Sequence, residues 1–259
     1  MSVFLIRIIM IVHLFVVSSV TAEVVTQDDM QKQIKAVSAQ IDKNRKNAVL
    51  YVRRGDLYFQ LHDFDLAIDD YTMAIKLDDK QDAAWFGRGM AKGRRGLISE
   101  GIADLTVFIK RNPENSKAYT KRGVRYLWKG DKVNAKKDLQ KAIQLDQNNA
   151  EAHDDLGVVL AQSGDYRNAI MHFQNTISID PTYQKGHHNL AMALYVIEND
   201  AQALVSVNNS LSLRPNSRNS MLLKSKILEA LGRHTEAKRV ADDAMFLPEA
   251  NWSETAPVK

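Results

Sequence analysis

The stretch AVLYVRRGDLYFQLHDFDLAIDDYTMAIKLDDKQ, residues 48–81, decides the fold, because further segments of the same length follow it end to end. With Ala48 as position 1, Gly55 stands at position 8, and steps of 34 residues lead from it to Gly89, Gly123, Gly157, Ala191 and Ser225. One small residue thus recurs at one phase through units 48–81, 82–115, 116–149, 150–183, 184–217 and 218–251, with no insertion or deletion. A fixed period in this range marks an array of supersecondary units, each unable to bury its apolar face alone and completed by its neighbours.

Within each unit the pattern reads as two helices. Position 20 is small throughout, as Ala67, Gly101, Ala135, Ala169, Ala203 and Ala237, and position 4 is mostly large, as Tyr51, Trp85, Tyr119, His153, His187 and Met221. Small residues at positions 8 and 20 let the two helices of a hairpin approach closely, and Tyr71, Leu105, Leu139, Phe173 and Val207 at position 24 cover that contact. A side chain larger than Ala at either small position is expected to splay the pair. Gly96, Gly130, Gly164 and Gly232 fall at position 15, where a helix end commonly needs a left-handed residue that Gly adopts cheaply. Pro113, Pro181 and Pro215 fall at position 32, where they block continuation of the second helix.

The spacing Tyr51…Gly55…Tyr58…Ala67…Tyr71…Ala74, together with Phe173…Pro181, resembles the signature of the tetratricopeptide repeat (TPR) family over about four fifths of the chain. The resemblance implies an all-α, right-handed superhelical α-α solenoid of TPR hairpins, and a binding surface in place of an active-site cleft. Departures are Asp79 and Gln147 where Pro is usual, Phe108 at the small position 27, and Ala241 at the bulky position 24.

Both ends differ from the repeats. Ile8 to Val17 is a nearly unbroken apolar run after a start carrying Arg7, and Ser18 to Ala22 is small and uncharged, which is the pattern of a secretory signal with cleavage before Glu23. The alternative for residues 1–22 is a retained signal anchor, although the run is short for a spanning helix of about 20 residues. Residues 23–47 read as an N-terminal capping helix, with Met30, Ile34, Val37 and Ile41 on one stripe, Thr26 and Asp29 as an N-cap pair, and the phase of a missing repeat's second helix. Residues 252–259 read as a flexible polar tail. With no solvating helix evident after the sixth unit, that end is either its own cap or a contact for another protomer.

Composition bounds the function. The 259 residues are 45% hydrophobic and 25% charged, enough for an ordered core, and the net charge of +4 is spread over interspersed acids and bases, which gives nucleic-acid binding little support. Cysteine is absent, which removes disulfides, thiolate metal sites and a thiol nucleophile. His153 and His187 occupy the packing position, His188 points elsewhere, and no His-x-x-x-His pair or carboxylate set completes a metal site. No Gly-rich phosphate loop, nucleophile elbow or Ser-His-Asp constellation stands out. The expectation is no enzyme, no cofactor and no metal.

In a TPR stack the first helices line the concave face, chiefly through positions 2, 5, 6, 9, 12 and 13. The resemblance therefore implies a partner-binding groove that includes Arg53, Phe86, Met90, Arg94, Lys117, Lys121, Trp128, Asp155, Asn189 and Tyr195. Its lining is basic and aromatic toward the N-terminal half and acidic at the fourth unit, where Glu151, Asp154 and Asp155 fall. Such a lining suits a peptide with apolar anchors and acidic groups. The carboxylate-clamp TPR class, which holds acidic chaperone C-termini, is matched only in fragments. Lys117 with Lys121 and Lys185 with Asn189 fit single clamp units, but Val49, Arg53, Gly87 and Leu223 occupy the positions that complete the set. The expected role is an exported scaffold or adaptor, periplasmic, that binds a protein or peptide segment for assembly or regulation of an envelope complex. Rival expectations are a self-associating homo-oligomeric platform and a membrane-anchored subunit. A eukaryotic secretory route would make Asn208 and Asn251 glycosylation acceptors.

Overall fold

The computed structural model describes residues 26–248. The signal segment read at 1–22 and the tail at 252–259 lie outside the described residues, which form thirteen α-helices and no strand. α1 is Gln27–Lys43; hairpins follow as α2 (Ala48–Gln60) with α3 (Phe64–Leu77), α4 (Asp82–Arg94) with α5 (Ile98–Arg111), and α6 (Ser116–Trp128) with α7 (Lys132–Leu145). They continue as α8 (Ala150–Ala161) with α9 (Tyr166–Ile179), α10 (Gln184–Val196) with α11 (Asp200–Leu213), and α12 (Arg218–Ala230) with α13 (His234–Met245). The result is an all-α TPR solenoid.

Local chemistry sets the boundaries. Thr26 opens α1 with a capping box to Asp29, and Asn115, Asn149 and Ser217 cap α6, α8 and α12 through side-chain acceptors. Position 15 is left-handed in every unit: Gly96, Gly130, Gly164 and Gly232 have φ of 72–88°, and His62 and Glu198 adopt 65° and 61°. Pro113, Pro181 and Pro215 follow the ends of α5, α9 and α11. The equivalent helices α3 and α7 stop at the same phase with Asp79 and Gln147 instead, so the turn does not depend on Pro.

Each first helix packs on its own second helix and on the second helix of the preceding hairpin. First helices of adjacent hairpins also touch one another, whereas second helices do not. Inside the hairpins, Tyr71, Leu105, Leu139 and Phe173 lie over the small position 8: a Cβ added to Gly157 would come 2.5 Å from the Phe173 ring, and one added to Gly123 2.9 Å from Leu139 Cγ. The second unit is tighter than the pattern implies. A Cβ on Gly101 would lie 2.8 Å from the backbone oxygen of Gly89, so even Ala, which the other units carry at this position, does not fit there.

A charge ladder runs through the first three units. Arg54 donates two hydrogen bonds to Asp70 at 2.7 Å, Arg88 two to Asp104 at 2.8 Å, and Arg122 two to Asp138 at 2.7 and 2.8 Å. Each guanidinium also donates back to a hydroxyl on the preceding second helix, Ser38 at 3.0 Å, Thr72 at 3.2 Å and Thr106 at 3.0 Å. α1 supplies Ser38 from the same register as its successors, while its Ile34, Val37 and Ile41 pack against Leu57 of α2. In the fourth and fifth units Leu156 and Leu190 replace the arginines, and one apolar cluster runs from Ala135 to Ile227.

Candidate functional site

Because only the first helices touch their own kind across repeats, the array is closest-packed on their side, which makes that side the inner one. A cavity of about 500 Å3 opens there between α4, α6, α8 and α10. An apolar stripe crosses it, formed by Met90, Val124, Val158 and Met192, which share position 9 of four consecutive units. Steps of 34 residues therefore place one apolar side chain per helix along the cavity.

Charged groups border the stripe in pairs. Lys121 Nζ donates to Glu151 Oε2 at 2.7 Å, one hairpin onward. Lys185 Nζ lies 2.9 Å from Asp154 Oδ2 and 3.3 Å from Asp155 Oδ1, and Asn189 Nδ2 donates to Asp154 Oδ1 at 2.8 Å. Burial disfavours the charge on Lys185, but Asp155 and Asp154 outweigh that effect and hold its ammonium well above the usual lysine range. Burial lifts the Asp155 carboxyl above the usual carboxylate range, against the pull of Lys185. Tyr183, at the rim, is pushed up by burial in the same way.

Of the residues assigned to a groove from sequence, the structure brings six to this cavity: Met90, Arg94, Lys121, Trp128, Asp155 and Asn189. Four lie elsewhere. Arg53 is exposed on α2 and Lys117 is exposed in the first turn of α6; Phe86 packs on Phe108 with ring centroids 5.1 Å apart; Tyr195 packs against the core. Within the cavity Lys121, Asp155 and Asn189 are committed to Glu151, Lys185 and Asp154. Arg94 is buried, with its guanidinium 5.5 Å from the Phe64 ring centroid.

Arg125 was not picked out from the sequence, yet it lines the cavity. Its signal is a break in a column: position 10 is Leu57, Ala91, Val159, Ala193 and Ile227 in the other units. His153, His172, His187 and His188 lie in the seams. His153 Nδ1 is 3.0 Å from His172 Nδ1, His187 Nε2 is 3.0 Å from the Pro181 carbonyl, and His188 Nδ1 is 2.9 Å from Ser220 Oγ. Ser220 is fully buried and shared with Ser210 and Ser217, so the Ser-His contact fills a polar seam and offers no route to a substrate. No group of three or more His, Cys, Asp or Glu is placed to hold a metal ion among the described residues.

Several solved structures share this architecture. A TPR protein from Parabacteroides merdae superposes with a TM-score of 0.70 at 19% identity, over 88% of this chain and 90% of that one. The Cut9–Hcn1 hetero-tetramer of the APC/C gives 0.69 at 19% identity over 84% of this chain, which spans 46% of the chain it matches. YrrB, described as a TPR protein with an unusual peptide-binding site, gives 0.56 at 21% identity over 73% of this chain and 97% of that one. At these identities the likeness shows the fold. No curated protein matches the chain. Residues 10–230 match the sequence profile of the ETO1 C-terminal domain, which takes in nearly every repeat described above, and the chain accordingly belongs to the ETO1 C-terminal domain family, a family of tetratricopeptide-repeat arrays.

Proposed function

We propose that this chain is an exported, non-catalytic scaffold that grips a segment of a partner polypeptide between α4, α6, α8 and α10, and that it serves the assembly or regulation of an envelope complex, in a periplasm. The observation that carries the reading is the apolar stripe of Met90, Val124, Val158 and Met192, laid in register along the inner face and bordered by polar groups. Such a stripe supplies anchoring area, and the bordering charges set register and exclude wrong partners. Because Lys121, Glu151, Asp154, Asp155 and Lys185 are consumed in mutual pairs, the cavity is equipped to bind and not to move protons. Export rests on the sequence pattern at residues 1–22, and a mature N-terminus at Glu23 is the expected result of sequencing the processed protein.

Crosslinking with mass spectrometry in the native compartment tests the groove. Met192→Arg places a long charged side chain on the half-exposed stripe without disturbing the helix, and it is expected to abolish the crosslinks that map to α6 and α8. Unchanged crosslinks from a variant of intact helicity would reject the groove. A second reading has its own observation: Met245 and Phe246, at the end of α13, are 73% and 89% exposed. If that end joins copies of the chain, light scattering will give a defined oligomer that Phe246→Ser dissolves.

A further inference from the structure

Arg125 is unexplained by repeat packing. It is 2% exposed, at a position that five other units give to an apolar side chain. Gly93 makes room for it, since a Cβ there would lie 2.5 Å from Arg125 Nε, and the Trp128 ring centroid sits 4.9 Å from its guanidinium carbon. Its hydrogen bonds are long and neutral: Nη1 donates to the Lys121 carbonyl at 3.3 Å, Nη2 to the Met90 carbonyl at 3.4 Å and to Met90 Sδ at 3.3 Å, and Nε has no partner. A buried cation with no counter-ion is costly. Consistent with that, burial brings its guanidinium down to about 10, with Glu151 and Asp155 opposing the shift and Arg94 adding to it.

The neighbouring carboxylates are already committed, Glu151 to Lys121 and Asp154 and Asp155 to Lys185. Among the charged groups of the cavity wall, Lys121 and Lys185 thus answer Glu151, Asp154 and Asp155, and Arg125 is the cation that takes no carboxylate within ion-pair distance. Arg125 lies beside the apolar stripe, in a space far larger than a small inorganic anion needs. We propose that the missing counter-ion comes with the partner: Arg125 anchors an Asp or Glu side chain of the bound polypeptide, in a fork that Trp128 backs, while flanking apolar residues of the same segment rest on the Met90–Met192 stripe. This names the chemistry of the partner and rests on the groove reading given above.

The test uses the full mature chain and two fluorescein-labelled peptides of equal length, one alternating Leu and Glu, the other Leu and Gln. In fluorescence anisotropy the wild type is expected to bind the Leu–Glu peptide at least about tenfold more tightly. Arg125→Gln is expected to bind both peptides equally, at the Leu–Gln level, whereas Lys129→Gln, which removes the same charge from an exposed site, keeps the preference. If Arg125→Gln fails to fold by circular dichroism, Arg125→Lys replaces it and is expected to retain only part of the preference. A preference that survives intact in the Arg125 variants, or a wild type that binds both peptides alike, overturns the inference and leaves the groove standing. Displacement of the Leu–Glu peptide by millimolar inorganic phosphate, with the Leu–Gln peptide untouched, assigns the site to a free anion and overturns it too. If neither peptide binds, and a randomised peptide library yields no ligand at the cavity, the groove reading falls with it.

Discussion

At the scale of single residues, the turn between the two helices of each hairpin shows what a side chain costs in a left-handed backbone. Glu198 and His62 hold φ near 60° where four other units use Gly, and a Cβ in that region is strained by about 1–2 kcal/mol. Glu198→Gly is therefore expected to raise stability by about 0.5–1 kcal/mol, after the extra freedom Gly gains in the unfolded chain, and Gly164→Ala to lower it by a similar amount. Urea unfolding of both variants checks the pair, and the same sign for both would refute the account. Gly101→Ala is a sharper case, because the atom in its way belongs to the Gly89 backbone and cannot rotate aside. A loss of about 1–3 kcal/mol is expected from a substitution to the very residue the other units carry. The glycines at position 15 were legible because glycine writes its conformational role into the sequence. His62 and Glu198 were not, since nothing in their identity records φ. Arg125 was legible only as an exception to its column, which a search for small and large residues passes over.

At the scale of elements, the repeats are held by more than interlocking apolar shapes. Arg54, Arg88 and Arg122 and their partners Asp70, Asp104 and Asp138 obey the same 34-residue ruler as the glycines, yet a reading that follows size alone misses them. Each pair lies 16 residues apart, across the hairpin turn, where no local helix rule brings charges together. Asp104 is the most heavily used, accepting from Arg88 and standing 2.8 Å from Lys92. Asp104→Ala leaves two half-buried cations, Arg88 and Lys92, without a carboxylate, and a loss of about 3 kcal/mol is expected. Combining it with Arg88→Met is expected to restore part of that loss in thermal melts, because the removal of one partner is worse than the removal of both. The inner face was legible to the level of helix and position, which is why Met90 and Arg94 on α4, Lys121 and Trp128 on α6 and Asp155 on α8 fell within the expected set. What periodicity does not encode is which charges find each other across hairpins, and that pairing turned expected recognition groups into a mutual lattice.

At the scale of the whole molecule, the array changes character along its length, from a charge-laced N-terminal half to a half built around one apolar cluster with histidines in its seams. Burial holds His153, His172 and His188 below the usual imidazole range, so the native state binds fewer protons than the unfolded chain near pH 6. Stability from these groups is complete above the unfolded value of about 6.5 and is lost as pH falls below it. The thermal midpoint is expected to drop between pH 7 and pH 5, and His172→Gln to flatten that slope; an unchanged slope would show that the His153–His172 contact carries no linkage. Solenoid architecture and the number of hairpins followed from the period alone, because each unit repeats one packing problem. The direction built into the ladder has a further consequence. Each arginine reaches backward to a hydroxyl made earlier in synthesis, Ser38, then Thr72, then Thr106, so each of the first three hairpins meets a finished socket as it joins the stack. Over these three hairpins the ladder favours growth from the N-terminus, because its sockets lie upstream and the staircase can zip up one turn at a time.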